Sequence, residues 1–232
     1  MDVGLGLMWF VVFLFSTTVH EAMHAWVAYR GGDPTAYHGG QVSLSPIPHI
    51  RREPVGMLLV PLVTAMTQGW AMGWASAPYD PYWAARHPRR AALMAAAGPA
   101  GNFAIAILAL IIMKVGLMSG WFVAPPRVNF TTLVETASGP NGLTTMLSIF
   151  AMLNVLLGVF NLIPLPPLDG ASVASIFLPS EMRAKVRDFM ATGMMSLLGL
   201  LVAWRVFPVF TGPLFTAVLE VLHPGMYGSG EL

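Results

Sequence analysis

The chain has 232 residues, of which 56% are hydrophobic and 10% are charged, and its mean hydropathy is +0.66. About 25% of residues are charged in a soluble domain, so this composition excludes an ordinary water-soluble fold and predicts a polytopic protein of the lipid bilayer. The net charge of +1 suggests no nucleic-acid partner, and the absence of cysteine excludes disulfides and thiolate metal ligands.

The first predicted helix runs from about Val3 to Tyr29 and is followed by a Gly31-Gly32 pair that would end it. The stretch from Val3 to Val19 has no charged residue. It also lacks a basic segment before it and a small-residue cleavage pattern after it. These features favour a retained membrane span over a signal peptide.

The same helix continues into His20-Glu21-Ala22-Met23-His24, which fits the pattern H-E-x-x-H. Residues i and i+4 share one face of a helix, so both imidazoles can bind one metal ion while Glu21 reaches a water molecule beside it. Ionisable groups within lipid cost about 2.5–3.5 kcal/mol each on insertion scales. A bound metal would compensate for that cost, whereas two histidines at the membrane interface are the ordinary alternative.

The region after the first helix is rich in Gly and Pro, and Gln41–Ser45 alternates with period two, which predicts one short strand. Val55–Trp74 is apolar but interrupted by Pro61, which favours a re-entrant hairpin or a bent pair over one crossing. Ala91–Met113 is predicted to be a span, followed by a Pro- and Gly-punctuated loop over Lys114–Asn141.

Leu143–Leu162 is the next predicted span, and it leads into NLIPLPPLDG, which ends at Gly170. Three prolines in four positions from Pro164 forbid a regular helix, and irregular backbone at membrane depth occurs only where protein buries it or it lines a wet cavity. A catalytic zinc has three protein ligands and one open position, so Asp169 is the candidate third ligand. A turn or helix N-cap is the alternative for Asp169. The remaining histidines lie in loops or tails, where solvation explains them: His38, His49, His87 and His223.

Two further apolar segments, Gly193–Phe207 and Val209–Leu222, follow the charged segment Glu181–Asp188. Because no internal repeat is present, residues 1–232 are predicted to form a single integral-membrane domain, with its motifs within residues 3–177 and C-terminal helices in residues 181–222. The predicted fold class is an all-α polytopic membrane protein with about 4–6 transmembrane or re-entrant helices and a short membrane-associated β element.

Three motifs in this order resemble the site-2 protease family of intramembrane zinc metalloproteases. They are HEAMH, AGPAGN from Ala97 to Asn102, and NLIPLPPLDG. The resemblance is to a compact member without a PDZ or CBS domain, and it spans roughly Val3 to Phe177. It leaves the role of Asn102 open.

The resemblance implies one zinc ion per chain, held by His20, His24 and Asp169, with Glu21 as the catalytic glutamate. Asn161 would lie near the metal and help to hold the substrate carbonyl. The reaction would be hydrolysis of a peptide bond within or near a transmembrane segment of a membrane-protein substrate. The strand predicted at Gln41–Ser45 would pair with the extended substrate.

Charge distribution predicts the orientation of the chain. The two halves of the metal site must lie on one side of the membrane, and Ala91–Met113 then runs away from that side. Nine Lys and Arg residues fall on the motif side and three on the other, which predicts a cell-membrane protein whose site faces the cytoplasm. The nine are Arg30, Arg51, Arg52, Arg86, Arg89, Arg90, Arg183, Lys185 and Arg187; the three are Lys114, Arg127 and Arg205.

Two alternatives belong to other functional classes. An ion-coupled transporter with a helix broken at Asp169 would have inverted repeats, and the sequence shows none. A catalytically silent family member that acts as a binding scaffold would not need His20, Glu21, His24 and Asp169 together.

Overall fold

The computed structural model describes residues 2–190 and 193–227, and within these ranges the chain is helical without a β-sheet. This agrees with the predicted all-α class. The first six helices along the chain are α1 (Val3–Arg30), α2 (Thr35–His38), α3 (Pro46–Arg52), α4 (Val60–Gln68), α5 (Pro81–Arg86) and α6 (Pro88–Met118). The later helices are α7 (Gly142–Asn161), α8 (Asp169–Ser175), α9 (Ser180–Met190), α10 (Gly193–Val206) and α11 (Pro208–Leu222).

Three of these helices, α1, α6 and α7, are long and apolar enough to cross a bilayer, with 28, 31 and 20 residues. A fourth crossing is available if Ser196–Val206 and Pro208–Leu222, which are bent by 50° at their junction, count as one broken span. Proline at the first turn of α11 accounts for the break, because it cannot donate a backbone hydrogen bond to α10. The polytopic prediction is therefore confirmed.

Helix α6 packs against both α1 and α7, which also contact each other, and small residues bring the three helices close together. Gly101 of α6 lies against Met23 of α1, and Gly158 of α7 lies against the ring of Phe103. Close backbone approach of this kind is the usual means of helix association in lipid, where apolar burial gives little driving force. The three helices thereby form one packed unit around the histidines of α1.

The segment from residue 55 to residue 74 turns back on itself, in agreement with the re-entrant alternative. A π-helical turn, Val55–Leu59, leads into α4, and the chain reverses at Gly69, whose φ of 80° suits glycine. The returning chain passes α4, and the backbone N–H of Trp74 donates to the carbonyl of Gly56 at 3.1 Å. The two ends of the segment are therefore adjacent.

The strand predicted at Gln41–Ser45 does not form, and that prediction is wrong. The segment is a series of bends that leads into α3. Its serines bond locally, since the Ser43 hydroxyl accepts the backbone N–H of Ser45 at 3.0 Å, and Nε2 of His49 donates to the Ser43 carbonyl at 3.1 Å. Such local side-chain hydrogen bonds compete with strand pairing. In the described ranges, β-type pairing is limited to isolated bridges in the loop between α6 and α7. The solvated state expected for His49 and His223 is wrong, because both rings are buried against backbone carbonyls.

Candidate metal centre

Two histidines of α1 form the first half of the site. His20 and His24 are one helical turn apart, are each 7% exposed, and face α6. The Nδ1 atom of His24 lies 2.7 Å from the backbone carbonyl of Met94 in α6. A carbonyl oxygen can only accept, so Nδ1 of His24 carries the hydrogen and Nε2 of the neutral ring keeps a free lone pair.

His20 is held in the same way by a side chain. Its Nδ1 atom lies 2.6 Å from Oδ1 of Asn102, which is completely buried in α6. With Nδ1 as the donor, Nε2 of His20 points at Nε2 of His24, 3.0 Å away. Two lone pairs that face each other repel, unless a cation lies between them.

The third group is the carboxylate of Asp169, which follows the proline-rich turn in the chain. Asp169 is the first residue of α8, a helix that packs against α6. Its Oδ2 atom lies 3.2 Å from Nε2 of His20 and 3.3 Å from Nε2 of His24. The same oxygen is buried and, among the described residues, has no hydrogen-bond donor.

These three atoms fit a metal ion. They all lie within 4.8 Å of one another, and ligands about 2.0–2.2 Å from a tetrahedral zinc ion lie about 3.3 Å apart. Their separations of 3.0 to 3.3 Å are close to that value. A cation would also satisfy the orphaned carboxylate oxygen and both lone pairs. Two imidazoles and one carboxylate, with no sulfur, make a donor set suited to zinc.

Glu21 lies beside this group but is not part of it. It is 5% exposed on α1, and its carboxylate makes no hydrogen bond or ion pair within the described part of the chain. The adjacent position on the helix places it about 100° round from His20. Its catalytic role stays a prediction.

Asn161, the other predicted catalytic residue, is placed differently. It is the last residue of α7, and its Nδ2 atom donates to the carbonyl of Leu157 at 3.0 Å. The side chain is thus turned back along its own helix, without a hydrogen bond to His20, His24 or Asp169. Its catalytic role stays a prediction.

Residues of α6 contact the two histidines in ways that were not predicted from the sequence. The carbonyl of Met94 holds His24, and an added Cβ at Gly98 would overlap Nε2 of both metal histidines. Asn102, singled out earlier without a role, is the partner of His20. The i, i+4 spacing of Gly98 and Asn102 in α6 was the available signal, since it places both on one helix face.

A buried His-His-carboxylate group beside a free glutamate, inside a bundle of apolar helices, is typical of a membrane-embedded metallohydrolase. The model of peptidase family M50 matches residues 8–203. The chain belongs to this family, the site-2 proteases, and is therefore a metalloprotease embedded in a membrane.

Individual relatives agree with the family. The chain is 31% identical over 192 residues to the proposed zinc metalloprotease YwhC of Bacillus subtilis. The matched region covers 83% of this chain and 78% of the relative. A proposed zinc metalloprotease of Streptococcus pyogenes serotype M3 is 36% identical over 55 residues, or 24% of this chain and 13% of the relative. No solved structure is detectably similar.

Proposed function

We propose that the chain is a zinc endopeptidase that hydrolyses a peptide bond within or near a transmembrane segment of a membrane-protein substrate. The observation that carries this proposal is the convergence of His20, His24 and Asp169 inside a bundle of apolar helices, with Glu21 unengaged beside them. The names of the Bacillus and Streptococcus relatives support zinc as the metal.

Bound zinc would supply a Lewis acid that polarises the scissile carbonyl and makes water more acidic. Glu21 takes the proton from the attacking water on its carboxylate and delivers it to the nitrogen of the leaving amine. Met94 and Asn102 hold the hydrogens of the two imidazoles on Nδ1, so that both Nε2 atoms stay directed at the metal position. Asn161 assists by donating an amide hydrogen to the substrate carbonyl, after its bond to Leu157 is released.

The position of the site in α1 favours a substrate that lies in the membrane. His20 comes 17 residues after Val3, which is about 26 Å along a helix, so it lies within a hydrocarbon core about 30 Å thick and toward one boundary. The excess of positive charge on that side supports the cytoplasmic face of the cell membrane. A bond near the cytoplasmic end of a transmembrane helix is therefore the expected target.

The experiment that tests the function is Glu21→Gln in the full-length protein, reconstituted in lipid vesicles with a panel of single-span reporter proteins. Wild type is expected to produce new substrate fragments. Glu21→Gln should abolish them and still retain about one zinc per chain, because glutamate acts as a base and not as a ligand. Glu220→Gln, which changes a glutamate in α11, is the matched control and should cleave normally.

Cleavage by Glu21→Gln at a rate near that of wild type would exclude the assigned base. Zinc binding by wild type without cleavage of any reporter would instead favour the silent scaffold. Ion flux that depends on Asp169, without proteolysis, would favour the transporter.

A further inference from the structure

Two asparagines lie in the middle of the helix bundle and are not among the metal ligands. Asn102 of α6 and Asn154 of α7 are both completely buried within apolar helices. A buried amide is unfavourable unless all its groups are hydrogen-bonded, so two of them together call for an explanation. Their hydrogen bonds form a chain that ends at His20.

The orientation of the Asn154 amide is set by a backbone group. One side of that amide lies 2.9 Å from the carbonyl of Phe150, four residues earlier in α7. Because the carbonyl can only accept, this side of Asn154 must be the NH2 group. The same NH2 group donates to the hydroxyl of Ser16 in α1 at 2.8 Å. The oxygen of Asn154 must then point the other way, toward Asn102.

The orientation of the Asn102 amide follows from that of Asn154. Oδ1 of Asn154 lies 2.8 Å from the Asn102 amide and requires a donor there. Nδ2 of Asn102 supplies it, and the backbone carbonyl of Ser16, 3.5 Å from Nδ2, favours the same orientation. Oδ1 of Asn102 is therefore the atom that faces Nδ1 of His20.

We propose that Asn154 is a positioning residue that selects the tautomer of His20 through the amide of Asn102. With the oxygen of Asn102 toward the ring, Nδ1 of His20 carries the hydrogen and Nε2 is free for the metal. If Asn102 were reversed, its NH2 group would face Nδ1 and favour the hydrogen on Nε2, where it blocks ligation. This inference rests on the zinc site of the proposed function.

The two metal histidines differ in this respect. His24 is held directly by the carbonyl of Met94, which cannot be reversed, whereas His20 is held by an amide whose two ends could exchange. Only His20 therefore needs a further residue to define its partner. That need accounts for a buried asparagine in α7, a helix that contributes no metal ligand.

The test is zinc affinity, measured by competition with a chelator on the full-length protein in detergent. Asn154→Leu and Asn102→Leu should each weaken zinc binding by about 10- to 100-fold, the usual effect of losing a partner of a metal ligand. The double variant should bind zinc no more weakly than Asn102→Leu alone, because Asn154 acts through Asn102. Asn154→Ala, with less bulk, removes the same hydrogen bonds and serves if the leucine variant does not fold.

Ser148→Ala is the matched control. Ser148 is also completely buried in α7, and its hydroxyl accepts the backbone N–H of Leu133 at 2.9 Å, away from the metal group. This variant should lose thermal stability and keep its zinc affinity.

Three outcomes would overturn the inference while the zinc site itself stands. The first is wild-type zinc affinity in Asn154→Leu or Asn154→Ala. The second is a double variant whose loss equals the product of the two single losses, which would mean independent effects. The third is an equal loss in Ser148→Ala, which would mean a general loss of packing. A wild-type protein that binds no zinc would instead refute the proposed function.

Discussion

Gly98 of α6 lies directly against His24 of α1, so closely that a Cβ atom on Gly98 would overlap Nε2 of that histidine. The same Cβ would overlap Nε2 of His20. One turn later, Asn102 accepts the Nδ1–H of His20 at 2.6 Å. One face of α6 therefore leaves room for both Nε2 atoms at Gly98 and accepts the hydrogen bond from the His20 ring at Asn102.

Gly98→Ala should weaken zinc binding. The added methyl group would occupy the position at which the two Nε2 atoms meet. To avoid this overlap, α6 would have to move away from α1. We expect zinc affinity to fall by about tenfold or more, the scale of losses at metal-site neighbours. Metal analysis of the purified variant and chelator competition would measure it.

Gly212→Ala in α11 is the control. A Cβ atom added there would meet no atom within 4 Å. This variant should keep its zinc. Full zinc occupancy in Gly98→Ala would show that the ligand atoms do not meet beside Gly98.

Asp169→Ala should lower both zinc occupancy and proteolysis, because it removes one of the three proposed ligands. Asp169→Asn should retain part of the zinc, since an amide oxygen can replace a carboxylate oxygen without its charge. The measurement is zinc per chain after dialysis against a weak chelator. Full occupancy in Asp169→Ala would mean that the third ligand is another residue.

The grouping of His20, His24 and Asp169 could be predicted because its signals are local, whereas the catalytic role of Glu21 stays a prediction. His20, Glu21 and His24 follow from helical spacing, and Asp169 follows from an acid placed after a proline-broken span. The long spans could be predicted for a similar reason, since length and hydropathy decide them. The structure adds only a few residues to the ends of α6.

The remaining features depend on which helices are neighbours. Gly98 and Asn154 acquire their roles from contacts with α1 and α6, and no pattern within one segment indicates such contacts. The Gln41–Ser45 prediction failed because a period-two pattern shows alternation but not whether a partner strand exists. The hydroxyl of Ser43 bonds within the segment instead.

Asn161→Ala should leave zinc content unchanged and reduce kcat. The side chain donates to Leu157 of its own helix, so its removal does not disturb a metal ligand. If it holds the substrate carbonyl during the reaction, kcat falls by about 10- to 1000-fold, the range for loss of one such donor. Loss of zinc in this variant would indicate a structural role, and unchanged kcat would remove Asn161 from the catalytic residues.

Asp33, in the turn after α1, should make stability depend on pH. Burial acts to raise its pKa, but hydrogen bonds from the Thr35 hydroxyl and from the backbone N–H groups of Asp80 and Thr35 hold the pKa below its usual value of 3.8. Because the pKa is lower in the folded chain, the ionised carboxylate stabilises the fold at neutral pH. That contribution is lost as the pH falls from about 3.8 through the lowered value.

Asp33→Asn should therefore lower the free energy of unfolding at pH 7 by roughly 1–2 kcal/mol, and with it the Tm, because an amide cannot accept on both sides. The difference from wild type should shrink as the pH falls below about 3.8. Thermal unfolding in detergent across this range would measure it. An equal difference at every pH would contradict a role for the charge.

The orientation of α6 gives the last prediction. A helix of 31 residues is about 46 Å long, so its ends lie on opposite sides of a hydrocarbon core about 30 Å thick. Tyr82 precedes α6 and Trp121 follows it, and both side chains are 79% exposed, so cysteines in their places should be equally reactive. The native chain has no cysteine that would compete. In intact cells, a membrane-impermeant maleimide should label Trp121→Cys and should label Tyr82→Cys only after permeabilisation. Reversed labelling would place the metal centre on the outer side, and equal labelling would mean that α6 does not cross the membrane.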